Sequence, residues 1–209
     1  MPSRRVPTIA LTPRKHAAQS RSRATVEALV SATAQVLVAV GYAKLTTTEV
    51  ARVAGTSIGS LYQYFPGKEA LVVAVLERHL EELYRSMERG LAEAGPSIEE
   101  RIEGVLRGLL EAKARDPALS AALRSQLPRI EGYARVAQLL RRVEQLVAGL
   151  LAAHRKEAAR IDPAWTAMVL TAGVDGVISS VLERDPARLR DPRLLRELCR
   201  MVLGYLRAG

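Results

Sequence analysis

Apolar residues recur at spacings of three and four along most of the chain, which is the period of an amphipathic α-helix. In the first such run Val26, Leu29 and Val30 share one face, and Gly41 is expected to end the helix as a left-handed cap. Segments in which apolar and polar residues alternate, as in a half-buried β-strand, do not occur in the sequence. The pattern therefore predicts an all-α fold of about nine helices.

Polar residues that cap helices mark where several of these helices begin. Asp-Pro dipeptides begin at positions 116, 162, 185 and 191. An Asp cap followed by Pro is a coherent start signal, because the N–H that Pro lacks would be unpaired there anyway. Ser97 and Glu100 have the spacing of a capping box. Gly90 and the Gly95-Pro96 pair are expected to end the helix before it.

The stretch from Thr46 to Lys68 predicts two short helices joined by a turn. Thr46 can cap the first helix, and Glu49 can close a capping box with it. Gly55 can adopt the positive φ of a turn, and Ser57 can cap the second helix. Two capped helices joined by roughly three residues that include glycine form a helix-turn-helix. The long first helix supplies the surface against which both can pack.

The second short helix has an apolar side and a polar, uncharged side. Leu61 and Phe65 form the apolar side. The exposed side carries four residues that can form hydrogen bonds, Ser60, Tyr62, Gln63 and Tyr64. Such a surface suits base edges and phosphates better than bulk water.

The composition is that of a globular protein, and the net charge favours a polyanionic partner. The 209 residues are 48% hydrophobic and 25% charged, as in a globular protein of one domain or two small ones. The net charge is +9. Residues 1–70 contain nine Lys/Arg and three acids, whereas the rest contains 22 and 19. The excess charge therefore coincides with the helix-turn-helix, which is the electrostatic footprint of a nucleic-acid-binding protein.

Three observations bear on location. No apolar run approaches the roughly 18 residues of a membrane-spanning helix, so no membrane segment is expected. The N-terminal residues are charged without an apolar centre, so no secretory signal is expected either. The single cysteine, Cys199, excludes an internal disulfide and favours a reducing cytoplasm.

The sequence predicts neither catalysis nor a bound metal or cofactor. It contains no nucleophile–base motif and no Gly-rich phosphate loop. His16 and His154 have no Cys or acidic partners at the spacing of metal ligands. His79 lies on an apolar helix face and is predicted to be a packed core histidine.

The order of these motifs resembles the N-terminal DNA-binding domain of the TetR family of bacterial transcriptional regulators. An amphipathic helix ending in Gly-Tyr is followed by Leu-Thr-Thr-Thr-Glu-Val-Ala, Ala-Gly-Thr-Ser, Leu-Tyr-Gln-Tyr-Phe and Lys-Glu-Ala-Leu. The resemblance covers about residues 22–75. The remainder agrees with the family only in being helical and of suitable length.

The resemblance implies a division into three parts. A three-helix DNA-binding head over residues 22–68 follows a basic arm at 1–21, whose Pro, Arg, Ser and Thr content predicts disorder. A helical bundle for ligand binding and dimerisation occupies 69–209. Phosphate contacts are implied for Thr47, Thr48, Tyr62, Tyr64 and Lys68, with Ser57 beside the DNA backbone. Positions facing base edges are Ile58, Gly59, Ser60 and Gln63.

For the effector pocket, the candidates are polar or aromatic residues within apolar helices of the body. They are Tyr84, Gln126, Tyr133, Trp165, Met168 and Asp175. Few aromatic residues lie in this region, which favours an aliphatic or mixed ligand. The last two helices are expected to form a homodimer, through small residues such as Gly173 and Gly176 and an apolar stripe from Cys199 to Leu206. Alternatively, these helices complete the monomer core.

The expected function is a ligand-responsive, cytoplasmic regulator, a repressor that a small molecule releases from a palindromic operator in double-stranded DNA. The alternative is a sequence-nonspecific, nucleoid-type DNA-binding protein that uses only the basic head. An enzyme remains possible only if the body contains a site without a sequence motif.

Overall fold

The computed structural model describes residues 20–125, 134–154 and 162–208. These residues form nine α-helices, one 3-10 helix and no β-strand, which confirms the predicted all-α class. The helices are α1 (Ser20–Lys44), α2 (Thr47–Val53), α3 (Ile58–Tyr64), α4 (Lys68–Ala92), α5 (Ile98–Arg115), α6 (Pro117–Arg124), α7 (Ala134–Ala153), α8 (Pro163–Arg184), the 3-10 helix Pro186–Arg190 and α9 (Pro192–Ala208). The predicted basic arm lies outside the described residues, except that Ser20 and Arg21 belong to α1.

The chain divides into two compact units, Met1–Leu76 and Glu77–Gly209, which we call the head and the body. Helix α4 begins in the head and ends in the body. The functional boundary between residues 68 and 69 stays a prediction.

In the head, α2 packs against α1 and α3 packs against α2. The core of this unit includes Leu29, Val50, Leu61 and Phe65, all of which are at most 1% exposed. At Gly41 the backbone of α1 leaves the helical region, with φ 72° and ψ 167°, and helical structure then continues to Lys44. The first helical segment is thus interrupted at Gly41, where the cap was predicted, and a second short segment follows it.

In the body, α5, α8 and α9 enclose the core. Its members include Ile102, Leu106, Leu110, Val174, Ile178, Leu198, Val202 and Leu206. Helix α7 packs along α8, and the 3-10 helix packs against α5. The main contribution to the body's stability is therefore the burial of aliphatic side chains between long helices.

Several helices of the body begin at the predicted capping residues. Ser97 and Glu100 form a complete capping box at the start of α5. Asp116 and Asp162 accept backbone N–H groups at the starts of α6 and α8. Asp185 is an exception, because a 3-10 helix follows it and its side chain makes no capping bond.

Gly90 has a different role from the one predicted, because it lies within α4 and does not end it. A Cβ atom on Gly90 would overlap the carbonyl oxygen of Gly104 in α5, and one on Gly104 would overlap that of Gly90. A Cβ on Gly108 would overlap the carbonyl oxygen of Ser86 in the same way. These glycines therefore allow the backbones of α4 and α5 to touch.

Two helices depart from the expectation that no segment could span a membrane. Ser22–Lys44 and Pro163–Arg184 are long and apolar enough to do so by length and composition. In each, 39% of the most apolar window is buried within the protein. Core helices of compact proteins meet the same criterion, so this composition is weak evidence for a membrane role.

Candidate nucleic-acid interface and effector region

The two short helices of the head begin at hydroxyl caps, as predicted. The Thr46 hydroxyl accepts the N–H of Glu49 at 3.2 Å, and the Ser57 hydroxyl accepts the N–H of Ser60 at 3.1 Å. The Glu49 carboxylate does not close the expected capping box, because it pairs with Arg52 at 2.6 Å instead. This hydrogen-bonded pair lowers the pKa of Glu49. Between the helices, Gly55 has the predicted positive φ, 65°.

Helix α3 presents an open face opposite its buried side. Ile58 is 40% exposed, and Gly59 and Gln63 are also exposed. A Cβ on Gly59 would meet nothing nearer than the Ser57 hydroxyl, at 3.9 Å. Ser60 is half-buried. This surface is accessible to a flat or convex partner such as the edges of stacked bases.

A hydroxyl pair joins the start of α2 to α3. The Thr47 hydroxyl lies 3.1 Å from the Tyr62 hydroxyl, although the two residues are 15 positions apart. Thr48 is exposed beside them. The contact fixes two hydrogen-bonding groups at one edge of the α3 face, which suits the oxygens of a phosphate.

Lys68 is held against the end of α1. Its ammonium lies 4.5 Å from the centre of the Tyr42 ring and donates to the Tyr42 carbonyl at 3.4 Å. The Tyr42 hydroxyl in turn donates to Glu69 at 3.2 Å. Sequence reasoning quoted Tyr42 only as part of the Gly-Tyr motif and missed that it positions this lysine.

Tyr64 differs from the expectation of a phosphate contact. It is only 8% exposed. The physical reason is its spacing, because a residue three positions after Leu61 falls on the same apolar face of the helix. In the described structure its ring belongs to the core of the head.

The effector candidates that the structure describes differ in their surroundings, and their joint role stays a prediction. Gln126 and Tyr133 lie outside the described residues. Tyr84 lies beneath the guanidinium of Arg142, at 3.9 Å, and this arginine also pairs with Glu81. Trp165 and Met168 are 66% and 43% exposed.

Asp175 is the candidate that belongs to a cluster of charged groups. Arg124 of α6 donates to one of its carboxylate oxygens at 2.5 Å. Lys113 of α5 lies 3.9 Å from the other oxygen. No feature of the sequence marks Lys113, because a lysine within an amphipathic helix usually lies on its solvated face.

The cluster continues inward to His79, which is buried as predicted for a core histidine. Its Nε2 lies 3.4 Å from the hydroxyl of Ser120, which is also buried. Burial, and next the positive charge of Lys113, lowers the pKa of His79 to about 4. Burial also lowers the pKa of Lys113, while Asp175 acts in the opposite direction.

A separate cleft of about 440 Å³ lies between α5, the 3-10 helix and α9. Leu110, Ala114, Leu189 and Leu195 contribute apolar surface to it, and Arg107 lies at its wall. Arg190 donates to the carbonyl of Ala114 there. None of the predicted effector residues lines this cleft. Among the residues with described positions, no three His, Cys, Asp or Glu side chains are grouped to hold a metal.

Large apolar side chains remain exposed on the last two helices. They are Trp165, Met168 and Val169 of α8, and Met201 and Tyr205 of α9. Gly173 and Gly176 also face solvent, and a Cβ on Gly176 would meet nothing within 4 Å. By contrast, Val202 and Leu206 of the predicted dimer stripe belong to the body's own core. That part of the stripe completes the monomer, as the alternative interpretation held.

Both units match known family profiles. A profile described as "Bacterial regulatory proteins, tetR family" matches residues 29–75, and one described as "Tetracyclin repressor-like, C-terminal domain" matches residues 97–206. The transcriptional repressor KstR of Rhodococcus jostii is 36% identical over 83 residues, which are 40% of this chain and 38% of KstR. The chain thus spans about half or less of the length of the curated relatives it matches.

Solved structures share the fold at low sequence identity. A transcriptional regulator from Pseudomonas aeruginosa PAO1 is 20% identical, with a TM-score of 0.74 over 91% of this chain and 93% of that one. FadR of Bacillus subtilis, solved in complex with stearoyl-CoA, is 18% identical, with a TM-score of 0.67 over 88% and 98%. At these identities the similarity shows the fold alone.

Proposed function

The chain belongs to the TetR family of bacterial regulatory proteins, and we propose that it is a transcriptional repressor that a small molecule releases from a palindromic DNA operator. The observation that carries the proposal is the open face of α3. This helix and α2 both begin at hydroxyl caps and together form a helix-turn-helix. On this proposal the protein is a regulator and not an enzyme, and it acts in the cytoplasm, where the DNA is.

We propose that α3 enters the major groove with its exposed face toward the bases. Gln63 can pair with adenine through two hydrogen bonds, and Ile58 can contact a thymine methyl group. Gly59 adds no side chain, so the backbone of α3 can approach the base edges closely. Ser60 is only half-buried and can contribute its hydroxyl.

Phosphate contacts would flank this face. The Thr47–Tyr62 hydroxyl pair, the exposed Thr48 and the cap Ser57 present donors at the starts of α2 and α3, where helix N-termini favour negative charge. Lys68 adds a positive charge whose position Tyr42 restricts. Such contacts fix the register of the protein on DNA and make the affinity salt-dependent.

A homodimer would supply the second recognition helix. We propose that the exposed face of α8, together with Met201 and Tyr205, forms the interface, because large apolar side chains exposed together on neighbouring helices are typical of protein–protein contacts. Two copies related by a two-fold axis would read half-sites about 34–36 Å apart, one turn of B-DNA. The operator would then be palindromic.

Release would follow from a ligand that binds one of two states of the dimer better than the other. KstR is a repressor, and the FadR structure contains stearoyl-CoA, so a small-molecule effector in the body is consistent with these relatives. Helix α4 runs through both units, and we propose that its movement carries the coupling. A differential affinity of a few kcal/mol would suffice.

Selection of DNA from a random pool with the full chain tests the proposal. We expect an enriched palindrome whose affinity falls steeply with salt. Gln63→Ala should relax base preference at one position of each half-site, whereas Lys68→Ala should weaken binding to all sequences alike. Arg52→Ala is the control, because Arg52 is an exposed arginine of α2 whose charge is already paired with Glu49. A pool without an enriched palindrome, and equal weakening by both variants, would support the nonspecific nucleoid-type alternative instead.

A further inference from the structure

We propose that the effector is an aliphatic molecule with an anionic group, and that the Lys113 ammonium binds this group inside the body. The inference rests on the proposed function, in that it names the chemical class of the effector. It follows from the contacts, the charge balance and the surrounding side chains of the cluster that joins α4, α5, α6 and α8.

Lys113 is buried, and its ion pair with Asp175 is a long one. Its side chain is only 13% exposed, and its nearest carboxylate oxygen, on Asp175, is 3.9 Å away. That distance is beyond a hydrogen bond. Within the described residues the ammonium makes no hydrogen bond, although it has three to donate. The side chain is thus placed for an acceptor that the described part of the body does not supply.

The charges of the cluster do not balance. Arg124 already uses the other Asp175 oxygen, at 2.5 Å, so two cations share one carboxylate. His79 does not change this balance, because its lowered pKa keeps it neutral at pH 7. Arg124 and Asp175 are 38% and 51% exposed, so Lys113 is the buried charge of the three, and a buried charge is costly unless a counter-charge lies close to it. An anion beside Lys113 would remove that cost.

Hydroxyl groups near the cluster can complete the binding of an anion. The Ser120 hydroxyl lies beside His79 in the buried part of the cluster. Ser179 is 3% exposed, and its hydroxyl has no hydrogen-bond partner in the described structure. Ser179 lies one helical turn from Asp175 on the same side of α8. Asp175 is half-exposed, so the carboxylate end of the cluster is in contact with solvent.

The remaining surroundings favour an aliphatic chain over an aromatic ring. Among the described aromatic residues of the body, the Tyr84 ring is already covered by the guanidinium of Arg142. Trp165 and Tyr205 face solvent. The core of the body, to which both α5 and α8 contribute, consists of aliphatic side chains, and one of them is Val174, the residue before Asp175. An alkyl chain can pack among these without needing a stacking partner.

Direct binding to the purified full chain tests the inference. The probes are decanoate, decyl phosphate and decanol, which share an alkyl chain, and calorimetry measures their affinities. We expect at least one of the two anions to bind about tenfold or more tightly than decanol, because a charge-assisted hydrogen bond would be formed only by the anion. Comparison of decanoate with decyl phosphate then distinguishes a carboxylate effector from a phosphate ester.

Two variants locate the site. Lys113→Met keeps a similar volume and should abolish the preference for the anion while the thermal melt is unchanged or raised. Arg107→Met removes a positive charge from the exposed side of the same helix, at the separate cleft, and should keep the preference. Loss of the preference in Arg107→Met but not in Lys113→Met would overturn the inference, as would equal binding of decanol.

A second readout follows His79 by NMR of the labelled imidazole. Binding of the anion beside Lys113 should raise the pKa of His79 from its low value, and an unchanged pKa would contradict the inference. Operator binding is measured separately and without decanoate. Anion preference without operator binding would refute only the proposed function, and operator binding without anion preference would refute only the effector class.

Discussion

The head and the body carry the polar groups of their proposed sites in opposite places. In the head, Gln63 and Tyr62 stand on the exposed face of a short helix. In the body, His79 and Lys113 lie beneath the surface between helices. An exposed face can meet a macromolecule such as DNA, whereas a buried cluster can only meet something small enough to enter. On the proposed function, the difference would separate recognition of DNA from recognition of a small molecule.

The two units also differ in how the sequence specifies them. The head depends on contacts between near neighbours, such as the Ser57 cap, which accepts an N–H from three residues ahead. The body depends on contacts between distant residues, such as Gly90 with Gly104 and Lys113 with Asp175. Local contacts are visible as a sequence pattern, but distant contacts appear only when the helices are packed.

Phe65→Ala should have the largest effect, and it tests whether the two units are independent. Phe65 is 1% exposed in the core of the head, so its truncation should lower the stability of that unit by about 3–5 kcal/mol. We expect DNA binding to be lost while decanoate binding is retained. Hydrogen exchange should show protection lost in α1–α3 and kept in α5 and α8.

Tyr62→Ala is the control for stability, because Tyr62 is 42% exposed and its truncation should change the stability of the head little. If Phe65→Ala also removed the protection of the body helices, the two units would unfold together and the proposed separation would be wrong.

The next effect concerns pH and the body alone. His79 has a pKa of about 4 in the folded protein, against an ordinary value of 6.5, and Lys113, Asp116 and Arg78 are the charged groups that influence it. Between these pH values the unfolded chain binds more protons than the folded one. The free energy of unfolding should therefore fall as the pH is lowered from 6.5 to 4, by about 3 kcal/mol from this residue. Above pH 6.5 His79 should have no effect.

Urea unfolding of the wild type and of His79→Gln across this range measures the contribution as a difference, since carboxylates titrate in both proteins. The curves should run parallel above pH 6.5 and converge toward pH 4. Parallel curves throughout would show that His79 is not buried in neutral form in solution.

Sequence reasoning succeeded for the head because its structure follows from local chemistry. The caps Thr46 and Ser57, the positive φ of Gly55 and the burial of Leu61 and Phe65 are all as predicted. Tyr64 is buried although the sequence predicted it on the exposed side, because a tyrosine suits both a polar face and a core. Its phosphate contact stays a prediction.

In the body, the helices were predictable but their packing was not. Gly90 was interpreted as a helix end, because a glycine that ends a helix and one that permits close packing look alike in sequence. Lys113 was not noticed, because its burial depends on the positions of three other helices. Val202 and Leu206 were assigned to a dimer interface, although the apolar stripe of α9 faces the body's own core.

Gly104→Ala should have an intermediate effect and tests the dependence of the body on distant contacts. Its new Cβ would overlap the Gly90 carbonyl, so α4 and α5 must separate. We expect the body to lose about 1–3 kcal/mol of stability in urea unfolding followed by circular dichroism.

The matched control is Gly149→Ala in α7, where a Cβ meets nothing within 4 Å. That variant should gain up to about 1 kcal/mol, because alanine favours the helix. A gain of stability in both variants would mean that α4 and α5 are not in backbone contact.

Ser57→Ala should have the smallest effect on stability and is the sharpest test of local specification in the head. Its hydroxyl accepts the Ser60 N–H at 3.1 Å, so its loss should cost about 1 kcal/mol and let the first turn of α3 fray. That turn carries Ile58 and Gly59, which we propose face the bases. The variant should therefore lose operator affinity while retaining much of its nonspecific affinity, as measured by anisotropy at two salt concentrations.

Ser57→Asp restores a capping acceptor but adds a negative charge beside the DNA backbone. It should recover the stability of the head and lose affinity for every DNA sequence. Equal operator affinity for Ser57→Ala and the wild type would show that packing against α2, and not the cap, orders the recognition helix.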